Sequence, residues 1–206
     1  MVAQELRLDL ITIGRSCVDL YGEQLGGRLE DMSSFAKYIG GSPTNTAVGA
    51  ARLGLRSALV TRVGADHFGR YIREQLAREG VATDGVLTDA QRLTALVFLG
   101  IRDPDTFPLI FYRENCADMA LTVADIDPAL VRSARAVLVN GTHLSQPQVF
   151  EASLAACRIA RDAGARVVFD IDYRPVLWGL TRKDQGENRY VADAGVTARL
   201  QQVLPL

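Results

Sequence analysis

Four short apolar segments, separated along the chain by helical patterns, constrain the fold of this sequence most strongly. They lie near residues 8–14, 58–63, 136–140 and 166–171 and are rich in β-branched residues. Such runs are typical of strands that are buried on both faces, as in parallel sheets. Helices between parallel strands cover both faces of the sheet. The sequence therefore predicts an α/β domain over 1–206 with a doubly wound, mainly parallel sheet.

Two β-rich segments interrupt this alternation of strands and helices. Apolar and aromatic residues at 20–39 flank a predicted turn at Gly26-Gly27, and residues 93–113 contain two predicted strands around a turn-rich loop. A hairpin inserted into a series of strands and helices suits a lid over a binding site. A plain hairpin at the sheet edge is the alternative for 93–113.

The sequence Gly-Gly-Ser-Pro-Thr-Asn-Thr-Ala at 40–47 predicts a strand-to-helix turn beside a ligand. Gly40 and Gly41 carry no Cβ, so the backbone can pass close to a bound molecule. Ser42 is predicted to be the N-cap of the helix that follows. Asn45, in the first helical turn, offers both a donor and an acceptor to a hydroxyl-rich ligand.

Asp19 and two arginines complete the candidate site. Asp19 follows the first predicted strand, and we expect it in the loop at the edge where open α/β sheets bind ligands; a capping role in a turn is the alternative. Arg113 and Arg174 each follow a predicted strand, and an arginine fork suits a carboxylate. The alternatives are a solvated strand-end arginine for Arg113 and a salt bridge to Asp170 or Asp172 for Arg174.

The spacing of these motifs resembles a known family. The stretch 40–47, followed by Gly54 and Gly64, resembles the first signature of the ribokinase/PfkB carbohydrate kinases. Segments 111–120 and 169–178 look like those of its 5-dehydro-2-deoxygluconokinase branch, which is close to the 2-keto-3-deoxygluconate kinases. The resemblance covers essentially the whole chain.

The resemblance implies a ribokinase-like fold in which 20–39 and 93–113 form a small β-lid that also pairs two copies as a homodimer. It implies ATP-dependent phosphorylation, with Mg²⁺, of a primary hydroxyl of a sugar acid, most of all 5-dehydro-2-deoxygluconate in inositol catabolism. The implied substrate-binding residues are Asp19, Gly40, Gly41 and Asn45 at the hydroxyls, and Arg113 or Arg174 at the carboxylate.

The family's catalytic segment, Gly-Ala-Gly-Asp, does not occur in this sequence. Gly64-Ala65-Asp66 lacks the second glycine, and no Walker-type phosphate loop is present. We therefore expect the C-terminal nucleotide-binding part to be missing, the catalytic base to lie beyond Leu206, and residues 1–206 alone to be inactive. A non-catalytic sugar-binding or dimerisation module, and a kinase for a neutral sugar or nucleoside, are the alternatives. A Rossmann dehydrogenase is disfavoured because Gly14–Asp19 lacks the Gly-x-Gly-x-x-Gly fingerprint.

Composition excludes several other classes of protein. A net charge of −1 gives no indication of a nucleic acid or an anionic membrane as partner, and no apolar run approaches the length of a bilayer-spanning helix. Cys17, Cys116 and Cys157 show neither metal-site nor redox spacing, which favours a reducing cytoplasm. His67 and His143 are too few for a histidine-based metal site, so we expect no metal ligands.

Overall fold

A computed structural model describes residues 8–186, 188 and 190–206. Residues 1–7, 187 and 189 of the predicted domain lie outside the described residues. The strands are β1 (Leu10–Ile13), β2 (Cys17–Gly22), β3 (Phe35–Gly40), β4 (Ser57–Gly64), β5 (Val86–Asp89), β6 (Ala95–Leu99), β7 (Leu109–Tyr112), β8 (Ala136–Asn140) and β9 (Arg166–Asp170). The α-helices are α1 (Ser42–Arg52), α2 (His67–Arg78), α3 (Pro128–Arg132), α4 (Pro147–Asp162) and α5 (Ala194–Gln201).

The main sheet has five strands in the order β5-β4-β1-β8-β9, and every neighbouring pair is parallel. The predicted parallel α/β sheet is confirmed. Strand β5 was not predicted, because its four residues include the polar pair Thr88 and Asp89 and carry no buried-strand pattern. It forms the sheet edge beside β4.

Helices cover both faces of this sheet because the strand residues alternate between two apolar clusters. Ile11 and Ile13 pack with residues of α4, such as Phe150, on one face. Leu59 packs with Val48 of α1 and with residues of α2 on the opposite face. In the described part of the chain, no helix is long and apolar enough to cross a membrane.

The two β-rich segments form one separate sheet of four strands, in the order β3-β2-β6-β7, which we call the lid sheet. The first lid strand along the chain, β2, begins at Cys17, three residues before the predicted segment 20–39. Asp19 therefore lies within β2, and its predicted place in a loop is wrong. The physical reason is that β2 pairs with β3 and with β6 along its length, so the chain is extended as soon as it leaves the main sheet.

The lid sheet has an inner face toward the main sheet and an outer face with a row of aromatic rings. Phe98 lies edge-on to both Phe35 and Tyr112, with ring centroids 5.4 Å apart in each case. Tyr112 is exposed. A homodimer through the lid stays a prediction.

Helix α1 begins at Ser42, and Gly41 is its N-cap, so the predicted N-cap role of Ser42 is wrong. Gly41 has φ 104°, a backbone conformation that residues other than glycine rarely adopt. The Ser42 hydroxyl instead donates a hydrogen bond of 3.1 Å to Asp170 Oδ2 at the end of β9. This hydrogen bond links the first turn of α1 to β9, the edge strand of the main sheet.

Asp66, in the partial match to the family's catalytic segment, has a structural role. Its carboxylate accepts hydrogen bonds from the Gly69 amide at 2.8 Å, the Thr94 amide at 2.7 Å and the Thr94 hydroxyl at 3.0 Å. Asp66 is thus the N-cap of α2 and holds the residue that precedes β6. Both of its oxygens are occupied, which leaves it poorly placed to act as a base.

We expect Asp66→Ala to lower the free energy of unfolding by about 2 kcal/mol, because the cap of α2 and the link to Thr94 are lost together. Asp127→Ala is the control, since Asp127 caps α3 through one bond to the Ala129 amide, and it should cost about 1 kcal/mol. Urea denaturation of both variants measures the difference. An Asp66→Ala cost no larger than that of Asp127→Ala would contradict the structural role.

The structural role of Asp66 also predicts how the stability of the protein depends on pH. Burial raises the pKa of Asp66, but hydrogen bonds from Thr94 and Gly69 outweigh it and lower the pKa below the ordinary value. A depressed pKa contributes stability above the unfolded-state value, near 4, and that contribution fades as the pH falls through the folded-state pKa. The stability difference between wild type and Asp66→Ala should therefore shrink below about pH 4.

Candidate functional site

A polar cleft of about 780 Å³ opens between the inner face of the lid sheet and the carboxyl ends of β1 and β9. Ligands bind at this edge in open α/β sheets. The cleft brings together four of the predicted site residues, Asp19, Gly41, Asn45 and Arg174. Sequence reasoning missed the other polar lining residues, which are Arg15, Tyr21, Ser42, Thr46, Asp170 and Asp172.

Asp19 presents a carboxylate to this cleft from strand β2. Burial raises its pKa, while the Arg15 guanidinium and a hydrogen bond from the Cys17 thiol, at 3.2 Å, oppose that rise. Among the described residues, the Cys17 thiol is the one hydrogen-bond partner of this carboxylate. The remaining acceptor positions suit hydroxyl groups of a bound molecule, because an ionised carboxylate has about four such positions.

The two glycines before α1 leave room for other parts of the protein. A Cβ at Gly40 would collide with the carboxyl group of Asp19, and a Cβ at Gly41 would collide with the carbonyl oxygen of Arg15. Gly41 lines the cleft, whereas Gly40 lies behind Asp19. The requirement for glycine at both positions therefore has an intramolecular cause, and contact of either with a ligand stays a prediction.

Asn45 and the start of α1 form one wall of the cleft. The Asn45 amide N–H closes the first helical turn on the Gly41 carbonyl at 2.8 Å, and its side chain is exposed. Backbone N–H groups in the first turn of a helix lack intrahelical partners. This wall therefore offers both a side-chain amide and helix-terminal donors to a polar ligand.

A hydrogen-bonded group at the ends of β8 and β9 forms the floor. Asn140 Nδ2 donates to Asp170 Oδ2 at 2.6 Å and to Ser42 Oγ at 2.8 Å. Asp170 also accepts the Asp172 amide at 3.2 Å. Asn140 and Asp170 are cross-strand partners, so two adjacent strands and α1 meet at one point. From the sequence alone, Asp170 is predicted only as a possible salt-bridge partner of Arg174.

Arg174 lies in the cleft and pairs with Asp172 at 3.0 Å, which was the alternative interpretation for this residue. Both side chains are mostly buried. A ligand carboxylate would have to share or displace Asp172. The role of Arg174 in binding a carboxylate stays a prediction.

Arg113, the other candidate for a carboxylate, does not line this cleft and lies instead at a second cavity beside β7. It is buried, with 3% of its surface exposed, and its Nε donates to Asp118 Oδ2 at 2.6 Å. Nη1 of Arg113 also contacts the Thr142 carbonyl at 3.4 Å. The alternative of a solvated strand-end arginine is therefore wrong, and a role of Arg113 at a carboxylate stays a prediction. No sequence pattern indicates this pairing, because Asp118 is brought to Arg113 by a turn whose burial depends on the whole fold.

A second cavity, of about 980 Å³, lies beside β7 and the turn at Pro175–Trp178. Its lining is mostly apolar, with Leu96, Met119 and Trp178 among its residues. A hydroxyl-rich ligand needs convergent donors and acceptors. The smaller polar cleft meets that requirement better, and we take it as the candidate site.

The described residues do not fit the ATP and Mg²⁺ that the resemblance implies. Asp66 is fully engaged with α2 and Thr94. Among residues 8–186, 188 and 190–206, no three His, Cys, Asp or Glu side chains come together to hold a metal ion. The geometry of the described residues therefore carries no step through nucleotide or metal.

Fold and cleft together define an α/β small-molecule-binding domain with a β-sheet lid over its site. Residues 7–192 match the model of the pfkB family of carbohydrate kinases. The chain is 40% identical over 176 residues to the 5-dehydro-2-deoxygluconokinase of Geobacillus kaustophilus, covering 85% of this chain and 52% of that relative. It is 39% identical over 180 residues to the enzyme of the same name from Listeria monocytogenes serotype 4b, covering 87% and 55%. The chain belongs to the pfkB family of carbohydrate kinases, and it spans about half the length of these curated relatives.

Solved structures agree with this assignment. A PfkB protein from Polaromonas sp. JS666 superposes with a TM-score of 0.83 at 31% identity, covering 95% of this chain and 62% of that one. An uncharacterized sugar kinase from Pyrococcus horikoshii, in complex with ATP, gives a TM-score of 0.81 at 28% identity, covering 94% and 59%. The ribokinase-like fold is thereby confirmed.

Gly41→Ala should lower the free energy of unfolding by about 1–3 kcal/mol, because alanine disfavours a φ of 104° and its Cβ would strike the Arg15 carbonyl. Gly49→Ala, in the same helix, is the matched control. Apart from the neighbouring backbone of its own helix, no heavy atom lies within 4 Å of a Cβ at Gly49, so this change should stabilise the chain by about 0.5–1 kcal/mol. Urea denaturation distinguishes the two, and equal effects of the same sign would contradict the role of Gly41.

Proposed function

We propose that this chain forms the substrate-binding part of a cytoplasmic ATP-dependent kinase that phosphorylates the primary hydroxyl of a sugar acid. The favoured substrate is 5-dehydro-2-deoxygluconate, an intermediate of inositol catabolism. Two curated relatives at 39–40% identity carry the name 5-dehydro-2-deoxygluconokinase. Since the chain spans about half of their length, the activity of the whole protein is part of the proposal.

The observation that carries the proposal is the convergence of Asp19, Asn45 and Arg174 on one cleft beneath the lid sheet. A carboxylate and a side-chain amide can bind hydroxyl groups as acceptor and donor. A guanidinium binds a carboxylate through paired hydrogen bonds, each worth about 1.5–3 kcal/mol when charged. Together these groups match a ligand that has hydroxyls along its length and a carboxylate at one end.

Phosphoryl transfer also requires a positioned base and charge stabilisation around the phosphates. By resemblance, both would come from a Gly-Ala-Gly-Asp segment, which does not occur in the 206 residues, with ATP and Mg²⁺ as cofactors. The ATP complex of the related Pyrococcus horikoshii kinase supports ATP as the phosphate donor. The cleft of this chain contributes the positioning of the sugar and its shielding by the lid.

Two alternatives keep some support. Fructokinase from Xylella fastidiosa is 29% identical with a TM-score of 0.78, which favours a neutral sugar as the second candidate substrate. The lack of the Gly-Ala-Gly-Asp segment in the sequence favours a non-catalytic sugar-binding module. Substrate preference separates the first alternative from the proposal, and turnover separates the second.

We expect residues 1–206 alone to show no useful phosphorylation of 5-dehydro-2-deoxygluconate with ATP and Mg²⁺. Removal of one charge-stabilising donor costs about 10²–10³ in rate, and here the base and the phosphate cradle are both absent from the described residues. The Geobacillus kaustophilus enzyme is the positive control in a coupled ADP-release assay. A chimera that joins this chain to the C-terminal half of that relative should regain turnover.

Turnover by the 206-residue chain within tenfold of the control would contradict this division of roles. A folded chimera that phosphorylates fructose but not the sugar acid would favour the neutral-sugar alternative. A folded chimera without any turnover would favour the non-catalytic module.

Arg174→Ala should weaken binding of 5-dehydro-2-deoxygluconate by about 10- to 100-fold, because one charge-assisted contact is lost. Binding of the primary amide of this acid, which lacks the negative charge, should be weakened less. Arg182→Ala is the matched control, since Arg182 pairs with Asp184 at 2.7 Å and lies outside the cleft. Isothermal titration calorimetry on the 206-residue chain measures the affinity for both ligands. Equal losses of affinity for acid and amide would show that Arg174 does not bind the carboxylate.

A further inference from the structure

Arg15 lies at the junction of the main sheet and the lid sheet, and its backbone is held firmly there. Its carbonyl oxygen accepts the Thr44 hydroxyl at 3.1 Å, and Gly41 packs directly against it. The residue follows β1 by two positions and precedes β2 by two. The side chain is therefore anchored at its base and turned into the cleft.

The Arg15 guanidinium is buried without the partners that a buried cation normally has. The residue is 8% exposed, and its Nε has no hydrogen-bond partner. Among the described residues, the polar contact of its guanidinium is with the Cys17 thiol, 3.7 Å from Nη1, and a thiol sulfur is a weak acceptor. Within the described residues, no carboxylate oxygen lies within 4 Å of this guanidinium. A buried charge in that situation is costly unless a further partner completes it.

The surroundings of Arg15 suit an anion attached to a short apolar group. The ring of Phe111 lies 5.3 Å from the guanidinium carbon, and a stacked guanidinium keeps its edge free for a planar anion. Val97 lines the same cleft from the lid sheet. The favoured substrate has a CH₂ group at C2, next to its carboxylate, and its first hydroxyl at C3. The Cys17 thiol lies between Arg15 and Asp19, so a carboxylate at Arg15 would leave the hydroxyls close to Asp19.

We propose that Arg15 binds the carboxylate of the sugar acid and is a specificity-determining residue for acids over neutral sugars. The inference rests on the proposed function, and it adds a residue that acts at the opposite end of the substrate from the primary hydroxyl. Arg113 is not placed for this role, because it does not line the cleft and its Nε is engaged with Asp118. Arg174 can contribute from the other wall of the cleft, but it starts from a formed pair with Asp172.

A structural role for Arg15 is the competing explanation. Asp118 Oδ1 is buried without a hydrogen-bond partner, and the charges of Asp19, Asp118 and Asp172 all act on Arg15 without a direct ion pair. If Arg15 serves to balance that carboxylate, its replacement would reduce stability without distinguishing acid from neutral ligands. The test therefore needs a stability measurement and two ligands that differ in charge.

The experiment is isothermal titration calorimetry on the 206-residue chain with 5-dehydro-2-deoxygluconate and with its primary amide. Arg15→Met keeps most of the side-chain volume, and Arg15→Lys keeps the charge without the fork. We expect Arg15→Met to weaken the acid by about 10- to 100-fold and the amide by less than about threefold. Arg15→Lys should give an intermediate loss for the acid. It also preserves the test if the methionine variant fails to fold.

Arg62→Met is the matched control, because Arg62 is a largely buried arginine that pairs with Asp125 at 3.2 Å away from the cleft. It should reduce the thermal midpoint of unfolding and leave the ratio of acid to amide affinity unchanged. An unchanged ratio in both Arg15 variants would overturn the inference and leave the proposed function intact. A wild-type chain that binds the amide as tightly as the acid would overturn the inference as well. Turnover of the acid by the chimera then decides separately whether the proposed function stands.

Discussion

The contact between Gly41 and the carbonyl of Arg15 is the constraint on which the rest of the site depends. Because no Cβ separates them, the start of α1 lies directly beneath the connection from β1 to β2. That connection is where the chain leaves the main sheet for the lid sheet. One close approach of backbone to backbone therefore fixes the helix terminus, the first lid strand and the cleft between them. Glycine at this position is required by the protein's own packing, whether or not a ligand is bound.

Charge balance is the second requirement that the cleft imposes. Burial raises the pKa of Asp19, and the neighbouring Arg15 guanidinium opposes that rise. The cleft also contains Asp170, Asp172 and Arg174, of which the last two are paired. Hydrogen bonds from Ser42 and Asn140 compensate Asp170. Arg15 forms no direct ion pair among the described residues, although the charges of Asp19, Asp118 and Asp172 act on it from a distance. Under the inference drawn above, a ligand carboxylate would supply that direct ion pair, and a neutral sugar would not.

The parallel sheet could be predicted from the sequence because its signal is local. Each central strand is a short apolar run rich in β-branched residues, as in Ile11 to Ile13, and its length and composition identify it as a strand. The short edge strand β5 escaped prediction because half of it is polar. Asp19 was predicted in a loop because the pairing of β2 with two other lid strands is a long-range property.

The candidate site could be predicted only in part, for similar reasons. Asp19, Asn45 and Arg174 reach the cleft because each follows or begins an element at the ligand-binding edge. Arg113 follows a strand as well, yet its direction is set by a buried partner five residues later. Arg15 belongs to no recognised motif. What marks it as a candidate ligand-binding residue is a buried Nε without a hydrogen-bond partner, and no sequence pattern indicates such a feature.

The contrast between Asp66 and Asp19 shows how the surroundings of a carboxylate decide its role. Asp66 stands in the segment that most resembles a catalytic motif, but three donors from Gly69 and Thr94 occupy both of its oxygens. Its pKa is lowered, which makes it a weaker proton acceptor. Asp19 stands in no such motif, and it is half-buried with a raised pKa and one weak thiol donor. Of the two, Asp19 is the carboxylate with acceptor capacity left for a substrate, and it lies in the cleft. Under the proposed function, substrate recognition therefore depends on the junction between the main sheet and the lid sheet. The resemblance of 64–66 to a catalytic segment reflects the requirements of a helix cap.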